Sequence, residues 1–122
     1  MIIAYIAHPI GGDVEGNLAR IREIVKHINS TTNVVPLVPY YSDVASCDDN
    51  DPLMRARCIR NDHAIIASGI VNEMWLYGDK ISKGMFDEVV LALKHKIRVV
   101  PQTIGTAKGI TEIYETILKG TI

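Results

Sequence analysis

Cysteine, long apolar runs and an excess of charge of either sign are all scarce in this chain of 122 residues. Its two cysteines, Cys47 and Cys58, lack the spacing of metal ligands, so we interpret them as reduced thiols of a cytoplasmic protein. A formal net charge of −1 argues against a nucleic-acid polymer as partner and leaves small ligands open. The apolar start ends at His8-Pro9, too short for a membrane span and without the basic flank of a signal peptide. The sequence therefore predicts a cytoplasmic protein that binds neither membranes nor nucleic acids.

Several motifs that would indicate a known chemistry are also missing. No glycine-rich run ends in lysine followed by serine or threonine, and Gly11, Gly12 and Gly16 do not form the dinucleotide fingerprint. These absences argue against an ATPase and a nicotinamide dehydrogenase. There is no serine nucleophile elbow, and neither cysteine has a histidine that the sequence can assign to it. Any chemistry is therefore expected to depend on carboxylates, without a cofactor.

Apolar patterns and turn signals predict one α/β domain over residues 1–122. Strands are expected at Ile2 to Ala7, Val34 to Val38, Val71 to Tyr77 and Arg98 to Val100. Helices are expected at about Val14 to Asn29, from Pro52 to Ser68, after Ser82 and from Ile110, with a turn over Thr103 to Gly109. Pro36 cannot donate to a ladder, which places the second strand at an edge. Right-handed crossovers then give a doubly wound parallel sheet in the order 2-1-3-4, Rossmann- or flavodoxin-like.

The loops after the first and third strands form the candidate ligand site, because ligands bind at the switch point of such sheets. Gly78-Asp79 tolerates the angles of a sharp reversal, and Ser82 occupies the position of a helix N-cap. The first amides of that helix favour an anion, so we expect a phosphate or carboxylate there. The predicted substrate-binding residues are His8, Ile10, Gly11, Gly12, Gly78, Asp79, Ser82, Gly84 and Met85.

Glu88 lies at the border of the helix that follows this turn. The helical step groups the neighbours into an apolar face (Met85, Val89, Ala92, Leu93) and a solvated face (Lys83, Asp87, Lys94). A carboxylate partly withdrawn from water has a raised pKa and can act as an acid, a base or a nucleophile. A border residue that is hydrogen-bonded to a neighbouring amide fits the same pattern and is the simpler interpretation.

The polar segment from Pro39 to Pro52 is longer than most connections in compact domains, which favours a functional role. Tyr40 or Tyr41 could stack on a base, and packing of the loop on itself is an equal alternative. Asp51-Pro52 is typical of a helix start. The loop carboxylates lack the spacing of a calcium site, so no metal is expected: Asp48, Asp49 and Asp51.

Motifs spread over the chain up to Pro101 resemble the nucleoside 2-deoxyribosyltransferase-like superfamily and, within it, a bacterial and phage branch. They are Ala4-Tyr5-Ile6-Ala7-His8-Pro9 with Gly11-Gly12, Asp48-Asp49-Asn50-Asp51-Pro52, Asp62, and the run from Tyr77 to Glu88. The resemblance implies that Glu88 attacks the anomeric carbon of a sugar. It also implies that Tyr5 and Asp62 orient the sugar and assist the base.

Ser82 matches a position that is acidic in the superfamily's nucleoside transferases and serine in its deoxynucleoside monophosphate N-glycosidase. The resemblance therefore implies a phosphorylated ligand, although His8 and Gly11-Gly12 stand where that hydrolase has an arginine loop. The expected function is an N-glycosidase or deoxyribosyltransferase acting on a (deoxy)nucleoside monophosphate. The alternative is a non-catalytic binder, a sponge or sensor of a nucleotide-derived signal, such as a phage could encode. The resemblance also implies a homo-oligomer, with the C-terminal helix or the Arg55 to Arg60 helix as the contact.

Overall fold

The computed structural model describes residues 1–46 and 50–120. Strands β1 (Ile3–Ala7), β2 (Val35–Leu37), β3 (Glu73–Leu76) and β4 (Arg98–Pro101) form a parallel sheet in the order β2-β1-β3-β4. The helices are α1 (Val14–Thr31), α2 (Tyr41–Ser46), α3 (Pro52–Ala67), α4 (Lys83–Lys94) and α5 (Ile104–Leu118). This arrangement confirms the predicted doubly wound α/β fold. Within the described ranges, no helix has both the length and the apolar character needed to span a membrane.

Two apolar layers fix the sheet between its helices. On one face, Tyr5 and Met74 pack with Ile66 of α3 and with Met85 and Val89 of α4. On the other face, the alternate residues of β1 pack with Ile28 of α1. Residues 4–7 of β1 are fully buried, as expected for a strand covered on both sides. The edge position predicted for the second strand is also confirmed, because β2 pairs with β1 alone.

Two local predictions are wrong. The segment over Thr103 to Gly109 is not a turn, because α5 begins at Ile104 behind a capping box formed by Thr103 and Thr106. The predicted loop after Pro39 contains α2, whose Tyr41–Ser46 span shows too little apolar periodicity to be recognised. Predictions that involve Cys47, Asp48 and Asp49 fall outside the described residues.

Helix starts follow the sequence signals closely elsewhere. The Asp51 side chain caps α3 by accepting from the amides of Leu53 and Met54, with Pro52 at the first helical position. Ser82 caps α4 as predicted, and its Oγ accepts from the Met85 amide at 3.3 Å. Ser82 thus begins α4 beside the edge of the sheet where β1 and β3 end.

Candidate functional site

A cavity of about 450 Å³ opens at the carboxyl ends of β1 and β3. The loop after β1, the start of α4 and one face of α3 surround it. The loop after β1 and the N-terminal half of α4 contribute seven of the predicted substrate-binding and catalytic residues. These are His8, Ile10, Gly11, Ser82, Gly84, Met85 and Glu88. Asp62 lines it from α3. The switch point of the sheet therefore contains a hollow bordered by four carboxylates, those of Asp43, Asp62, Asp87 and Glu88.

Glu88 is partly buried in this cavity and is joined to the centre of the sheet. The hydroxyl of Tyr5, a fully buried residue of β1, donates a hydrogen bond to Glu88 Oε2. Burial raises the Glu88 pKa to about 7; the hydrogen bond from Tyr5 opposes this increase, and the charges of Asp62 and Asp87 add to it. Glu88 is thus held by a residue 83 positions away rather than by a neighbouring amide.

The Tyr5 hydroxyl keeps its proton in this arrangement. Burial, followed by the negative charge of Glu88, raises the pKa of Tyr5 far above its usual value. The Tyr5 ring also contacts that of Tyr40, with 6.0 Å between the ring centroids. Tyr5 therefore acts as a fixed hydrogen-bond donor to the carboxylate.

Asp62 is the carboxylate that α3 contributes to the cavity, and it is 9% exposed. Its Oδ1 atom has no hydrogen-bond partner within residues 1–46 and 50–120. Burial, followed by the nearby charge of Asp43, raises the Asp62 pKa to about 7. A buried polar oxygen without a partner is unusual in folded proteins, and burying it in charged form costs free energy.

The start of α4 forms one wall of the cavity. Ser82 and Gly84 present the first turn of the helix, where unpaired amides and the helix dipole favour negative charge. Lys80 and Lys83 line the same wall, and Lys83 forms an exposed 3.8 Å ion pair with Asp87. Arg55 adds a further cation from α3.

The loop after β1 forms the opposite wall. The Nδ1 atom of His8 is 2.7 Å from the Pro9 carbonyl oxygen and donates to it, which leaves Nε2 as the acceptor of the neutral ring. Burial lowers the His8 pKa, so the neutral form is favoured. Asn17, a buried residue that the sequence analysis did not single out, donates from Nδ2 to the Ile10 carbonyl at 2.8 Å. Asn17 therefore fixes the shape of this loop from α1.

Three predicted binding residues lie outside the cavity lining. Gly12 and Gly78 have positive φ angles of 88° and 99°, and they shape the two turns. A Cβ atom at Gly78 would lie 2.6 Å from Pro9 Cδ, so this glycine lets the two turns pack together. Asp79 faces a separate groove of about 680 Å³ between α4 and α5.

The contribution of α3 was missed, apart from Asp62. Arg55, Cys58, Ile59, Asp62 and His63 line the cavity at the spacing of one helix face. The spacing can be read from the sequence, but the sequence does not show that this face of α3 lies over the ends of β1 and β3.

The tyrosines of the Pro39 to Pro52 segment take different positions. Tyr40 is buried at the cavity and donates to the Ile6 carbonyl at 2.5 Å. Tyr41 lies outside the cavity lining, and its hydroxyl accepts from Arg22 at 2.7 Å. The two hydroxyls therefore join this segment to β1 and α1 rather than to itself, and stacking of a base on either ring stays a prediction.

In the part of the chain that the structure describes, no group of three or more histidine, cysteine, aspartate or glutamate residues could hold a metal ion.

A family model described as Domain of unknown function (DUF7768) matches residues 2–101. The chain belongs to the DUF7768 family. No curated protein matches it significantly. The DUF7768 match contains the whole cavity lining and ends before α5 begins.

Proposed function

We propose that this DUF7768 domain cleaves the N-glycosidic bond of a (deoxy)nucleoside monophosphate, with Glu88 as the nucleophile. The observation that supports this proposal most is the Tyr5–Glu88 hydrogen bond at the cavity. The start of α4, capped by Ser82, forms one wall of the same cavity. A carboxylate and an anion-favouring helix terminus thus border one hollow. A nucleotide carries both an electrophilic anomeric carbon and a phosphate, so it matches both features.

The phosphate of the substrate is expected at the first turn of α4. Glu88 follows Ser82 by six residues, which corresponds to about 9 Å along a helix. Lys80 and Lys83 lie beside this turn and add positive charge. A monophosphate bound there would leave its sugar over the middle of the cavity, within reach of the Glu88 carboxylate.

The first chemical step is attack by the Glu88 carboxylate on the anomeric carbon. The bond between that carbon and the base nitrogen breaks, its electron pair stays with the base, and a glycosyl ester of Glu88 forms. Asp62 supplies a proton to the leaving base. Its pKa of about 7 keeps a substantial protonated fraction near neutral pH, which this role requires.

In the second step, water or another base attacks the anomeric carbon of the ester. The bond to Glu88 breaks, the carboxylate of Glu88 is restored, and the Asp62 carboxylate accepts the proton of the attacking group. Two displacements at one carbon give net retention of configuration. Water as acceptor makes the protein a glycosidase, and a second base makes it a transferase.

The test is incubation with a panel of deoxynucleoside monophosphates, with free base measured by chromatography. Base release is expected from the wild type and should be lost in Glu88→Gln, while nucleotide binding remains measurable by calorimetry. Glu115→Gln, an exposed position on α5, is the matched control and should release base normally.

Two outcomes would overturn the proposal. Nucleotide binding by the wild type without base release from any substrate would identify the protein as the non-catalytic binder of the alternative interpretation. Unchanged turnover in Glu88→Gln would remove Glu88 from the role of nucleophile.

A further inference from the structure

The turn between β3 and α4, residues 78–82, contacts the cavity on one side and α5 on the other. Lys80 and Ser82 of this β3–α4 turn line both the cavity and the groove beside α5. The position of Ser82, and with it the first turn of α4, therefore depends on what holds the turn from behind.

Hydrogen bonds from the start of α5 hold the backbone at the end of β3. Thr103 Oγ1 donates to the Gly78 carbonyl at 2.7 Å. Thr106 Oγ1, which is fully buried, donates to the Leu76 carbonyl at 3.2 Å. The same carbonyl accepts from the Gln102 amide at 2.8 Å. Side chains of α5 thus satisfy the carbonyl groups just before and within the turn.

Two glycines of α5 allow its backbone to approach the turn closely. A Cβ atom at Gly105 would lie 1.8 Å from the carbonyl oxygen of Asp79, a separation that no pair of non-bonded atoms tolerates. A Cβ atom at Gly109 would lie 2.8 Å from Cδ1 of Ile81, which is the flexible end of a side chain. Gly105 therefore meets the backbone of the turn, whereas Gly109 meets a group that can move.

We propose that Thr103, Gly105 and Thr106, the α5 clamp, act as positioning residues that fix the β3–α4 turn in the position that binds the anion. The clamp lines no part of the carboxylate cavity and lies beyond residue 101, where the DUF7768 match ends. The identity of the anion as a nucleotide phosphate rests on the proposed function. The effect of the clamp on the position of the turn does not depend on that function.

Gly105→Ala is the decisive variant. Alanine is a better helix former than glycine, so the substitution favours α5 while displacing the turn. KM for a deoxynucleoside monophosphate is expected to rise about tenfold or more, with a much smaller change in kcat, because the phosphate contact is misplaced while Glu88 keeps its Tyr5 partner. Gly109→Ala should give a weaker effect in the same direction.

Ala107→Gly is a control on the same helix that changes helix propensity in the opposite direction. Ala107 is exposed, so this change weakens α5 without touching the turn. The proposal expects normal KM in Ala107→Gly and raised KM in Gly105→Ala. The reverse order would show that only the stability of α5 matters, and would overturn the proposal.

A second pair of variants tests the hydrogen bond at Gly78. Thr103→Val removes the hydroxyl that caps α5 and donates to Gly78, and Thr103→Ser restores both with a smaller side chain. KM should rise in the valine variant and return towards the wild-type value in the serine variant. Failure of serine to rescue would contradict a role for the hydroxyl.

Amide hydrogen exchange tests the clamp without any reaction. The amides of Met85 and Phe86 bond to Ser82 Oγ and to the Ser82 carbonyl. In Gly105→Ala these two amides should exchange about tenfold faster, while amides in α1 exchange as in the wild type. Equal exchange at Met85 and Phe86 in both proteins would refute the clamp, even if no nucleotide is ever cleaved. Absence of base release with faster exchange would instead refute only the proposed function.

Discussion

At the scale of the residue, Glu88 lies under two opposing influences. Burial and the charges of Asp62 and Asp87 favour its protonated form, whereas the hydroxyl of Tyr5 stabilises its charged form. The proposed nucleophile must be ionised, so under the proposed function the balance between these influences sets the active fraction near neutral pH.

Tyr5→Phe should shift that balance in one direction. Loss of the hydroxyl removes the donor to the Glu88 carboxylate, so the Glu88 pKa rises further and the acidic limb of the pH–rate profile moves to higher pH. We expect a shift of about one to two pH units, since a hydrogen bond to a charged group contributes about 1.5–3 kcal/mol and one unit corresponds to 1.36 kcal/mol. The measurement is kcat/KM of base release from pH 5 to 9.

Tyr77→Phe is the control for this profile, because Tyr77 packs on the opposite face of the sheet. An acidic limb that is unchanged in Tyr5→Phe, or moved to lower pH, would contradict the assigned role of the hydroxyl.

The sequence could locate Glu88 but could not identify its partner. The helical step placed Glu88 at the border of α4 from local spacing alone. Tyr5 lies 83 residues away and reaches Glu88 only because β1 and α4 pack together, which is a tertiary contact. The role of Asn17 was missed for the same reason, because its side chain contacts the Ile10 carbonyl only when α1 packs against the loop.

At the scale of the element, α4 combines a helix cap with the proposed anion site, and the two roles can be separated at Ser82. Ser82→Asp keeps a good N-cap residue but places a negative charge where the phosphate is expected. KM for a monophosphate should therefore rise about tenfold to a hundredfold, whereas KM for the corresponding nucleoside should not rise. The measurement is KM for the two substrates side by side.

The thermal unfolding temperature of Ser82→Asp should stay close to that of the wild type, since the cap is retained. Equal increases of KM for nucleotide and nucleoside would indicate a damaged cavity rather than repulsion of a phosphate, and would argue against the anion site.

Elements were predicted well where one local signal dominated and poorly where two signals competed. Asp51-Pro52 and Ser82 marked the starts of α3 and α4 correctly. The start of α5 was missed because Gly105 and Gly109 resemble turn residues, although Thr103 and Thr106 form a capping box three residues apart. Those glycines serve close approach to the β3–α4 turn, which no local pattern reveals.

At the scale of the whole molecule, two buried carboxylates make stability depend on pH in an unusual direction. Burial raises the pKa of Glu88 from 4.5 and that of Asp62 from 3.8, each to about 7. Between about pH 4 and pH 7 the folded protein therefore binds more protons than the unfolded chain at these sites. Their contribution to the free energy of unfolding falls as pH rises through this window, and the full cost of the buried charges is present above pH 7.

Asp62→Asn removes one of these charges and should reveal the effect. At pH 8 the variant should be more stable than the wild type, because the raised pKa of Asp62 means that its charge is costly in the folded protein. Solvent screening limits this gain to about 1–2 kcal/mol. The difference should shrink as pH falls and disappear near pH 4. Urea unfolding at several pH values measures it.

Glu23→Gln, an exposed position on α1, should show no such pH-dependent difference. A constant offset between Asp62→Asn and the wild type at all pH values would mean that the charge of Asp62 is not the cause.

The strand order could be predicted because few topologies satisfy right-handed crossovers with an edge strand marked by Pro36. The homo-oligomer implied by the resemblance stays a prediction. Both helices named as its contact expose apolar side chains, namely Leu53 on α3 and Ile104 and Leu118 on α5.

The packing of Gly78 against Pro9 has a consequence for protein engineering. Each turn takes its shape partly from the other, so the two form a matched pair across the sheet. A chimera that takes only the loop after β1 from another DUF7768 protein would place a foreign residue at position 9 against Gly78 of this chain. An exchange of ligand-contacting loops between members of this family should therefore move both turns in a single graft.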